Sequence, residues 1–292
     1  MRFNQWAPSP DSIHQGTHRG EYAPEDGPLF SIITVTWNRL ETIKRTMASV
    51  QAQTYKNYEF IIIDSASNDG SIDYFDNNKE IFDYYISEKD AGICDGINRG
   101  YSLAKGKFIY LLFSDDWIPE NFLEEAAKSV ENLPDDVGFI FGNCHTISLH
   151  GNSWVQVGDP NYHTKIRYMM PGINMPCLIM RKEMIEKTGF FDLDVDVPSD
   201  YDYLLRSHMA GWKGVYCPDL YSYFSKGGNS TIKELQGHRE VFQIACRHAG
   251  FSLGAAFYYA RNVCRYGIKV ALSKIPPSIE DKAYALYHKW RS

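Results

Sequence analysis

Segments typical of strands and of helices alternate from Phe30 onward, and this alternation constrains the fold more than any other feature. The runs 30–36 and 58–63 are apolar and rich in β-branched residues, as buried strands are. Between them, apolar residues recur at helical spacing at Leu40, Ile43, Met47 and Val50. Continuous apolar strands separated by helices predict an α/β fold with a largely parallel central sheet flanked by helices.

The same alternation predicts further elements along the chain. In the first half, the predicted strands lie at 84–87, 108–113 and 137–143, and the predicted helices at about 96–104 and 119–132. In the second half, the predicted elements are strands at 154–157, 177–180 and 214–217 and a helix at 200–210. We expect the second half to build another binding surface on the same sheet.

These elements divide the chain into three parts. Residues 1–28 show neither helical nor strand periodicity and are predicted to form a polar N-terminal arm. Residues 29–231 are predicted to form one domain with two halves, 29–143 and 144–231. Residues 232–292 are predicted to form a helical C-terminal extension.

The C-terminal extension is basic in an acidic protein. Seven Lys or Arg and two acidic residues lie in 261–292, although the net charge of the chain is −6. The basic residues at intervals of four are Arg261, Arg265 and Lys269. A second, apolar side of the same helix carries Ala256, Tyr259, Val263, Tyr266 and Val270. The pattern fits either a helix on the anionic inner face of a membrane or a helix that packs its tyrosine side on the domain.

Composition excludes several classes of protein. A net charge of −6 with 44% hydrophobic residues is not typical of a disordered chain or of a nucleic-acid-coating protein, so we expect no nucleic-acid partner. The longest apolar runs, such as 108–113, are far shorter than the roughly 20 residues of a membrane-spanning helix. Residues 1–28 lack the apolar stretch of a secretory signal, which predicts a cytoplasmic protein. No pattern predicts an oligomeric state.

Acceptor-rich loops follow two of the predicted strands. Strand 58–63 leads into 64–71 (DSASNDGS), and strand 108–113 leads into 114–117 (SDDW). Open α/β sheets bind ligands outside the carboxyl ends of their strands, so a site is expected at these loops. The adjacent carboxylates of Asp115 and Asp116 suit Mg²⁺ or Mn²⁺ bound together with phosphate oxygens. Alternatively, they only cap the helix that follows Pro119.

Five motifs follow one another in the order and spacing of a known family. They are 31–39 (SIITVTWNR), 53–59 (QTYKNYE), 61–64 (IIID) with 68–71 (NDGS), 87–98 (SEKDAGICDGIN) and 114–116 (SDD). Over about residues 30–230, the chain resembles the inverting glycosyltransferases of family 2, which have the GT-A type of fold. The segment 227–230 (GGNS) further resembles the members that assemble bacterial polysaccharides.

The resemblance implies an enzyme that transfers one sugar, with inversion, from a nucleotide-diphosphate sugar to an acceptor hydroxyl. It implies a donor that is usually a UDP-sugar, a divalent cation (Mn²⁺ or Mg²⁺), and a glycan or lipid-linked acceptor. Residues 29–143 would bind the nucleotide sugar, and 144–231 the acceptor. The sequence lacks the membrane spans and the Q-x-x-R-W segment of processive synthases, which favours transfer of a single sugar.

By position in the motifs, the resemblance also implies individual roles. The implied nucleotide-sugar ligands are Thr34, Thr36, Arg39, Asp64, Asp90, Asp95 and Asp115. Among them, Asp64 would bind the base and Asp115 would lie near the ribose or the donor sugar. Asp116 is the implied metal ligand. Asp200, which opens the helix predicted at 200–210, is the implied catalytic base, with Asp202 as the second choice.

Two other functions stay open at the level of sequence. A sugar-1-phosphate nucleotidyltransferase also binds nucleotide sugars on an α/β sheet, but 36–39 (TWNR) contains no glycine-rich loop. A sugar-nucleotide-binding protein without transfer activity is the other alternative. The acidic residues at 115, 116 and 200 argue against it.

Overall fold

The structure is a computed structural model that describes residues 7–9, 12–16, 27–148, 152–195, 197–225 and 233–272. Its strands are β1 (Ile13–Gly16), β2 (Phe30–Thr36), β3 (Tyr58–Asp64), β4 (Tyr84–Ser87), β5 (Phe108–Leu111), β6 (Val137–Ile147), β7 (Ser153–Gln156), β8 (Leu178–Arg181) and β9 (Lys213–Ser225). Its helices are α1 (Leu40–Gln51), α2 (Ser71–Asp76), α3 (Ile93–Leu103), α4 (Phe122–Val130), α5 (Lys182–Thr188), α6 (Ser199–Met209), α7 (Glu234–Ala249) and α8 (Leu253–Leu272). Short 3₁₀ turns lie at Lys79–Ile81, Tyr162–Thr164 and Met175–Cys177.

The nine strands of the described residues form one sheet in the order β1-β4-β3-β2-β5-β8-β6-β7, and β9 pairs with β6. Neighbouring strands are parallel from β4 to β5. Beyond β5, the pairs β5–β8, β8–β6 and β6–β7 are antiparallel, whereas β9 runs parallel to β6. The α/β class is confirmed. The second half of the chain extends the same sheet, as expected, with strands of mixed direction.

Helices cover both faces of the sheet because alternate strand residues point to opposite sides. Ile33 and Ile61 belong to one buried cluster, which continues into α3, α5 and α6. Ile32 and Phe60 belong to a second cluster, which continues into α1 and α4. Gly100 lets α3 approach β2 closely, since an added Cβ there would clash with Ile33. Burial on both faces explains the continuous apolar runs of β2 and β3.

The strand order reverses next to β2, and this point determines where a site can form. The chain passes from β2 to β3 and β4 on one side, and β5 then pairs with the other side of β2. Open α/β sheets bind ligands in the crevice outside the carboxyl ends of the strands at such a reversal, which here are β2 and β5. We call this end of β2, β3, β4 and β5 the carboxyl edge. Thr36 and Asp64 end β2 and β3 there, and Asp115 follows β5.

Two segments differ from their predicted structure. The arm 1–28 is predicted without a strand, but Ile13–Gly16 forms β1 and pairs antiparallel with β4. Its pairing depends on backbone hydrogen bonds to β4, and four residues are too few to show a period. β9 is longer than the predicted strand 214–217, and its register against β6 shifts twice. Such shifts break the alternation of side chains that reveals a strand in sequence.

The C-terminal extension is helical through the described residues up to 272, as predicted. Val241 and Ile244 of α7 are buried in the same cluster as α6. Tyr259 of α8 stacks on Phe242 of α7, with ring centroids 5.2 Å apart, so part of the predicted tyrosine side packs inward. Among the residues that the structure describes, no helix has both the length and the apolar character needed to cross a bilayer.

Candidate active site

Asp115 lies in a turn at the carboxyl edge, beside Arg39. Asp115 is half-buried, and Arg39 is exposed just before α1. Burial raises the pKa of Asp115, and the positive charge of Arg39 opposes this shift. The structure therefore brings two of the predicted ligands together, one anionic and one cationic, at the mouth of the crevice.

Asp116 is enclosed. The residue has no accessible surface, and its Oδ1 accepts a 3.0 Å hydrogen bond from the backbone N–H of Ser225, at the end of β9. Its Oδ2 is buried and has no hydrogen-bond partner within the described residues. Burial and the charge of Asp115 raise the pKa of Asp116 well above its usual value. Asp115 is therefore the member of the pair that a ligand in the crevice meets first.

Arg45 of α1 holds the same turn through three contacts. Its Nη2 donates hydrogen bonds to the backbone oxygen of Asp115 at 2.8 Å and to Oγ of Ser225 at 3.0 Å. Its guanidinium carbon lies 3.6 Å from the ring centroid of Trp117. Trp117 in turn stacks on Tyr223 at 5.0 Å. Arg45 thus joins α1, the turn after β5 and the end of β9.

Thr34 and Asp64 form buried hydrogen bonds and do not face the crevice. The Thr34 hydroxyl donates to the backbone oxygen of Leu112 at 2.6 Å. Asp64 has no accessible surface, and its carboxylate accepts hydrogen bonds from the N–H and hydroxyl of Ser67 and from the Ser87 hydroxyl. Burial raises the pKa of Asp64. In this arrangement Asp64 holds the loop after β3, and its implied contact with a nucleobase stays a prediction.

Of the remaining predicted ligands, some can contact a bound ligand, and one stabilises a helix of the fold. Thr36 is buried at the end of β2, and its hydroxyl has no hydrogen-bond partner in the part of the chain described. Asp90 is half-buried, and its Oδ1 accepts a 2.9 Å hydrogen bond from the N–H of Gly92. Asp95 forms a 2.8 Å ion pair with Arg99. Thr36 and Asp90 are therefore candidates for ligand contact, whereas Asp95 stabilises α3.

Asn98 of α3 ties the carboxyl edge to the segment before α6. Its amide donates to the backbone oxygen of Phe191 at 3.0 Å and accepts from the N–H of Phe191 at 2.9 Å. One turn earlier, the sulfur of Cys94 lies 3.9 Å from the backbone oxygen of Val195. Because α3 begins at the carboxyl edge, these contacts bring the start of α6 to the same end of the sheet.

Asp200 and Asp202 lie in the first turn of α6 in different surroundings. Asp200 is half-buried, its Oδ1 accepts a 2.8 Å hydrogen bond from the N–H of Tyr201, and burial raises its pKa to about 6. Asp202 is buried, and its two oxygens bind Nε of Arg206 and Nε2 of His248, each at 2.8 Å. Asp202 therefore joins α6 to α7, and Asp200 is the better candidate for proton transfer.

Neither Arg45 nor Asn98 is recognisable as a site residue from the local sequence pattern. Their partners lie 70 and 93 residues away along the chain, and local spacing contains no sign of such contacts. Asn98 does close the motif 87–98, which is the one signal that could have drawn attention to it. The GGNS segment at 227–230 lies outside the described residues.

A comparison with protein families identifies the domain that carries this site. A family profile described as glycosyl transferase family 2 matches residues 31–190, more than half of the chain. The chain belongs to glycosyl transferase family 2. The match begins in β2 and ends before α6, so it includes Asp115 and Asn98 but not Asp200.

Two relatives of this family 2 member illustrate the range of similarity. An uncharacterized glycosyltransferase of Mycobacterium tuberculosis is 28% identical over 189 residues, a match that covers 62% of this chain and 70% of that protein. WfaP of Escherichia coli, named UDP-Glc:alpha-D-GlcNAc-diphosphoundecaprenol beta-1,3-glucosyltransferase, is 27% identical over 244 residues. The match with WfaP covers 80% of this chain and 93% of WfaP, and so it is longer than the family profile.

Solved structures of two transferases share the fold of this family 2 member. S. aureus TarS 1–349 in complex with UDP-GlcNAc gives a TM-score of 0.59 at 17% identity and covers 78% of this chain and 69% of that chain. The mannosyltransferase PcManGT from Pyrobaculum calidifontis, in complex with GDP-Man and Mn2+, gives a TM-score of 0.59 at 16% identity. That match covers 91% of this chain and 84% of the PcManGT chain. This chain spans only 41% of a longer TarS chain. The likeness is one of fold, and it confirms the predicted GT-A type.

The turn after β5 suits the oxygen ligands of a hard divalent cation in this family 2 member. Mg²⁺ usually takes one or two carboxylates and completes its shell with phosphate oxygens and water. Asp115 supplies a half-buried carboxylate at the crevice, and Asp116 has a buried oxygen without a described partner. The described residues contain no group of three or more His, Cys, Asp or Glu that could hold a metal ion. A cation at this turn would therefore need oxygens from a bound ligand.

Asp202→Ala is expected to destabilise this family 2 member by about 3–5 kcal/mol. The substitution leaves Arg206 and His248 without their shared carboxylate, at the contact between α6 and α7. Denaturant unfolding measures the loss of free energy. Glu183→Ala, which removes the exposed i,i+4 pair with Lys187, is the control and is expected to leave the midpoint nearly unchanged. Equal effects of the two substitutions would contradict the role given to Asp202.

Proposed function

We propose that this chain transfers one sugar, with inversion, from a nucleotide-diphosphate sugar to an acceptor hydroxyl. The observation that carries the proposal is Asp200, a carboxyl group of raised pKa in the first turn of α6, which we assign to the same end of the sheet as Asp115. The hydrogen bonds of Asn98 with Phe191 support this placement. In the proposed reaction, Asp200 takes the proton of the incoming hydroxyl, and Asp115 holds the cation that binds the leaving diphosphate.

The donor that we propose is a UDP-sugar, bound along the carboxyl edge. TarS, which has the same fold, is in complex with UDP-GlcNAc, and the name of WfaP specifies UDP-Glc. PcManGT is in complex with GDP-Man, so the fold accommodates a second nucleotide. In this chain, the Thr36 hydroxyl and the Asp90 carboxylate are the proposed contacts with the nucleoside. Arg39 supplies positive charge for the diphosphate.

Asp200 acts as the general base in the proposed reaction. Its carboxylate accepts the proton of the acceptor hydroxyl as the hydroxyl oxygen bonds to the anomeric carbon and the bond from that carbon to the diphosphate breaks. Attack opposite the diphosphate inverts the configuration at this carbon. A raised pKa makes Asp200 a stronger base than an exposed aspartate. We favour Asp200 over Asp202 for this role because the oxygens of Asp202 already bind Arg206 and His248.

Mn²⁺ or Mg²⁺ is the proposed cofactor, held by Asp115 together with the donor diphosphate. The resemblance implies Asp116 as the metal ligand, but Asp116 is enclosed and binds Ser225, so we assign the direct contact to Asp115. A cation bound there supplies charge neutralisation of the leaving diphosphate. PcManGT, of the same fold, is in complex with Mn2+. Asp116 and Arg45 stabilise the turn through their hydrogen bonds with Ser225 and with the backbone of Asp115.

The acceptor that we propose is a glycan carried by a lipid, used at the inner face of a membrane. The name of WfaP specifies a diphosphoundecaprenol-linked sugar.

Charge reversal by Arg261→Glu, Arg265→Glu and Lys269→Glu together is expected to release the protein from anionic liposomes, because the basic side of α8 attracts anionic lipid. Sedimentation with the liposomes measures this, and Lys128→Glu, Lys187→Glu and Lys213→Glu together form the control. Unchanged sedimentation of the α8 variant would contradict membrane attachment.

The raised pKa of Asp200 predicts the pH dependence of the reaction. The ionised carboxylate is required, so kcat/KM falls about tenfold per pH unit well below pH 6 and is level above it. Initial rates at subsaturating donor and acceptor, measured over this range, give the apparent pKa. An inflection near the ordinary aspartate value of 3.8 would show that Asp200 is not the titrating base.

The proposed function is tested by incubating the full chain with a panel of nucleotide sugars, Mn²⁺ and a lipid-linked sugar acceptor. We expect release of UDP from one UDP-sugar, with a product whose anomeric configuration is opposite to that of the donor. Binding of donors without release of nucleoside diphosphate would instead identify a sugar-nucleotide-binding protein. Formation of a nucleotide sugar from a sugar 1-phosphate and a nucleoside triphosphate would identify a nucleotidyltransferase.

A further inference from the structure

α8 has an exposed apolar side that differs from the one predicted. Leu253 is 81% exposed and Phe257 is 70% exposed, and Phe251, just before the helix, is 69% exposed. Cys264 and Ile268 lie on the same side, seven and eleven residues after Phe257, and both are exposed. We call Leu253, Phe257, Cys264 and Ile268 the α8 stripe. A contiguous apolar surface of this kind marks an interaction site.

A groove opens beside the first turns of α8. It has a volume of about 540 Å³ and lies between α8 and the residues that follow the 3₁₀ turn Tyr162–Thr164. Its main side chains are Lys165, Tyr168, Met169, Phe257, Tyr258 and Arg261. Phe257 belongs both to the groove and to the α8 stripe, so the apolar surface is continuous from one to the other.

The groove combines an apolar floor with basic side chains. Tyr168, Met169 and Phe257 provide the apolar and aromatic surface. The exposed guanidinium of Arg261 lies 5.1 Å from the ring centroid of Tyr258. Lys165 adds a second cation, which is paired with Asp159 at 2.8 Å. A ligand with an anionic group on an apolar chain is complementary to both parts of this surface.

A hydrogen bond connects the segment that lines the groove to α6, which carries the candidate base. Tyr201, which follows Asp200 in α6, donates a 2.8 Å hydrogen bond from its hydroxyl to the backbone oxygen of Ile166. Ile166 is the neighbour of Lys165 in the groove wall. Burial and the nearby Tyr258, which lines the groove, raise the pKa of Tyr201. A ligand in the groove therefore lies next to the element that carries Asp200.

We propose that this groove binds the diphosphate and the first isoprenoid units of a polyprenyl-diphosphate-linked sugar, the acceptor of the reaction. The inference rests on the proposed function and adds the class of acceptor and its binding surface. Arg261 and Lys165 contact the diphosphate, and Phe257 and Met169 contact the isoprenoid chain. The α8 stripe extends this apolar contact towards the membrane that contains the rest of the lipid.

Titration calorimetry of the full chain with farnesyl diphosphate tests the proposal. EDTA is present, so that no cation at Asp115 can recruit the diphosphate. We expect farnesyl diphosphate to bind at least about tenfold more tightly than inorganic pyrophosphate or farnesol, because only it occupies both parts of the groove. Phe257→Ser and Arg261→Glu are each expected to weaken this binding at least about tenfold. Leu235→Ser and Lys128→Glu, exposed on α7 and α4, are the matched controls.

UDP binding in the presence of Mn²⁺, measured on the same variants, separates this proposal from the proposed function. Both groove variants are expected to bind UDP like the wild type, which also shows that they are folded. The groove proposal is overturned if they bind farnesyl diphosphate like their controls, or if pyrophosphate alone binds equally well. If the wild type forms a dimer that Phe257→Ser dissociates, and farnesyl diphosphate does not bind, the groove and the α8 stripe are instead the contact with a second copy of the chain. Binding of farnesyl diphosphate at the groove without any nucleotide binding would overturn the proposed function alone.

Discussion

Asp200→Asn is expected to lower kcat by about 10²- to 10⁴-fold and to leave the affinity for the UDP-sugar unchanged. The amide oxygen can still accept the hydrogen bond from the N–H of Tyr201, so the first turn of α6 keeps its geometry. The amide cannot accept the proton of the attacking hydroxyl. Single-turnover rates measure the loss of chemistry, and calorimetric titration with the UDP-sugar in Mn²⁺ measures donor binding.

Asp194→Asn is the matched control for the Asp200 substitution. Asp194 is an exposed carboxylate in the segment that leads to α6, and it lies outside the proposed site. We expect its variant to retain wild-type turnover. Wild-type turnover of Asp200→Asn would show that another group takes the proton, whereas loss of donor binding would show that Asp200 contributes to the donor site.

Asp115→Asn is expected to weaken UDP binding in Mn²⁺ by about 100-fold and to abolish the stimulation of turnover by Mn²⁺. The substitution removes the one half-buried carboxylate that the turn presents to the crevice, so a cation there loses its direct protein ligand. The affinity for UDP in EDTA is expected to stay the same, because the nucleoside contacts are intact. Calorimetric titrations with UDP under the two conditions measure the difference.

Asp116→Asn distinguishes between the two neighbouring acids. The amide oxygen of this variant can still accept the hydrogen bond from Ser225, so the turn stays in place. We expect it to keep most of the Mn²⁺ dependence, and we expect Asp135→Asn, at an exposed acid before β6, to keep all of it. Loss of Mn²⁺ dependence in Asp116→Asn but not in Asp115→Asn would restore Asp116 as the direct ligand.

The location of the site could be predicted from sequence because it follows from local patterns. Apolar runs identify β3 and β5, and parallel strands place their carboxyl ends at one edge, so Asp64 and Asp115 had to lie close to it. The orientation of each side chain could not be predicted in this way. Asp116 is enclosed by a contact with Ser225, 109 residues later, and Asp64 is enclosed by Ser87 on the adjacent strand.

The C-terminal helix shows the same limit of local pattern. A helix with apolar residues around much of its circumference does not reveal which side packs against the domain. From sequence, the side with Tyr259 fits either packing on the domain or a membrane surface; Tyr259 does stack on α7, but Val270 of the same side is 36% exposed. The α8 stripe is more exposed still, and only the packing of α8 on α7 identifies it.

The most direct test of the account is the melting temperature of the wild-type chain and of Asp115→Asn with UDP and Mn²⁺. A ligand that binds only the native state stabilises it by about 2.7 kcal/mol at 100 times its dissociation constant. We therefore predict that UDP with Mn²⁺ raises the melting temperature of the wild type, that UDP with EDTA raises it much less, and that Asp115→Asn loses the difference. No rise with any nucleoside diphosphate, or an equal rise in Asp115→Asn, would contradict a nucleotide-diphosphate site built on a cation at this turn.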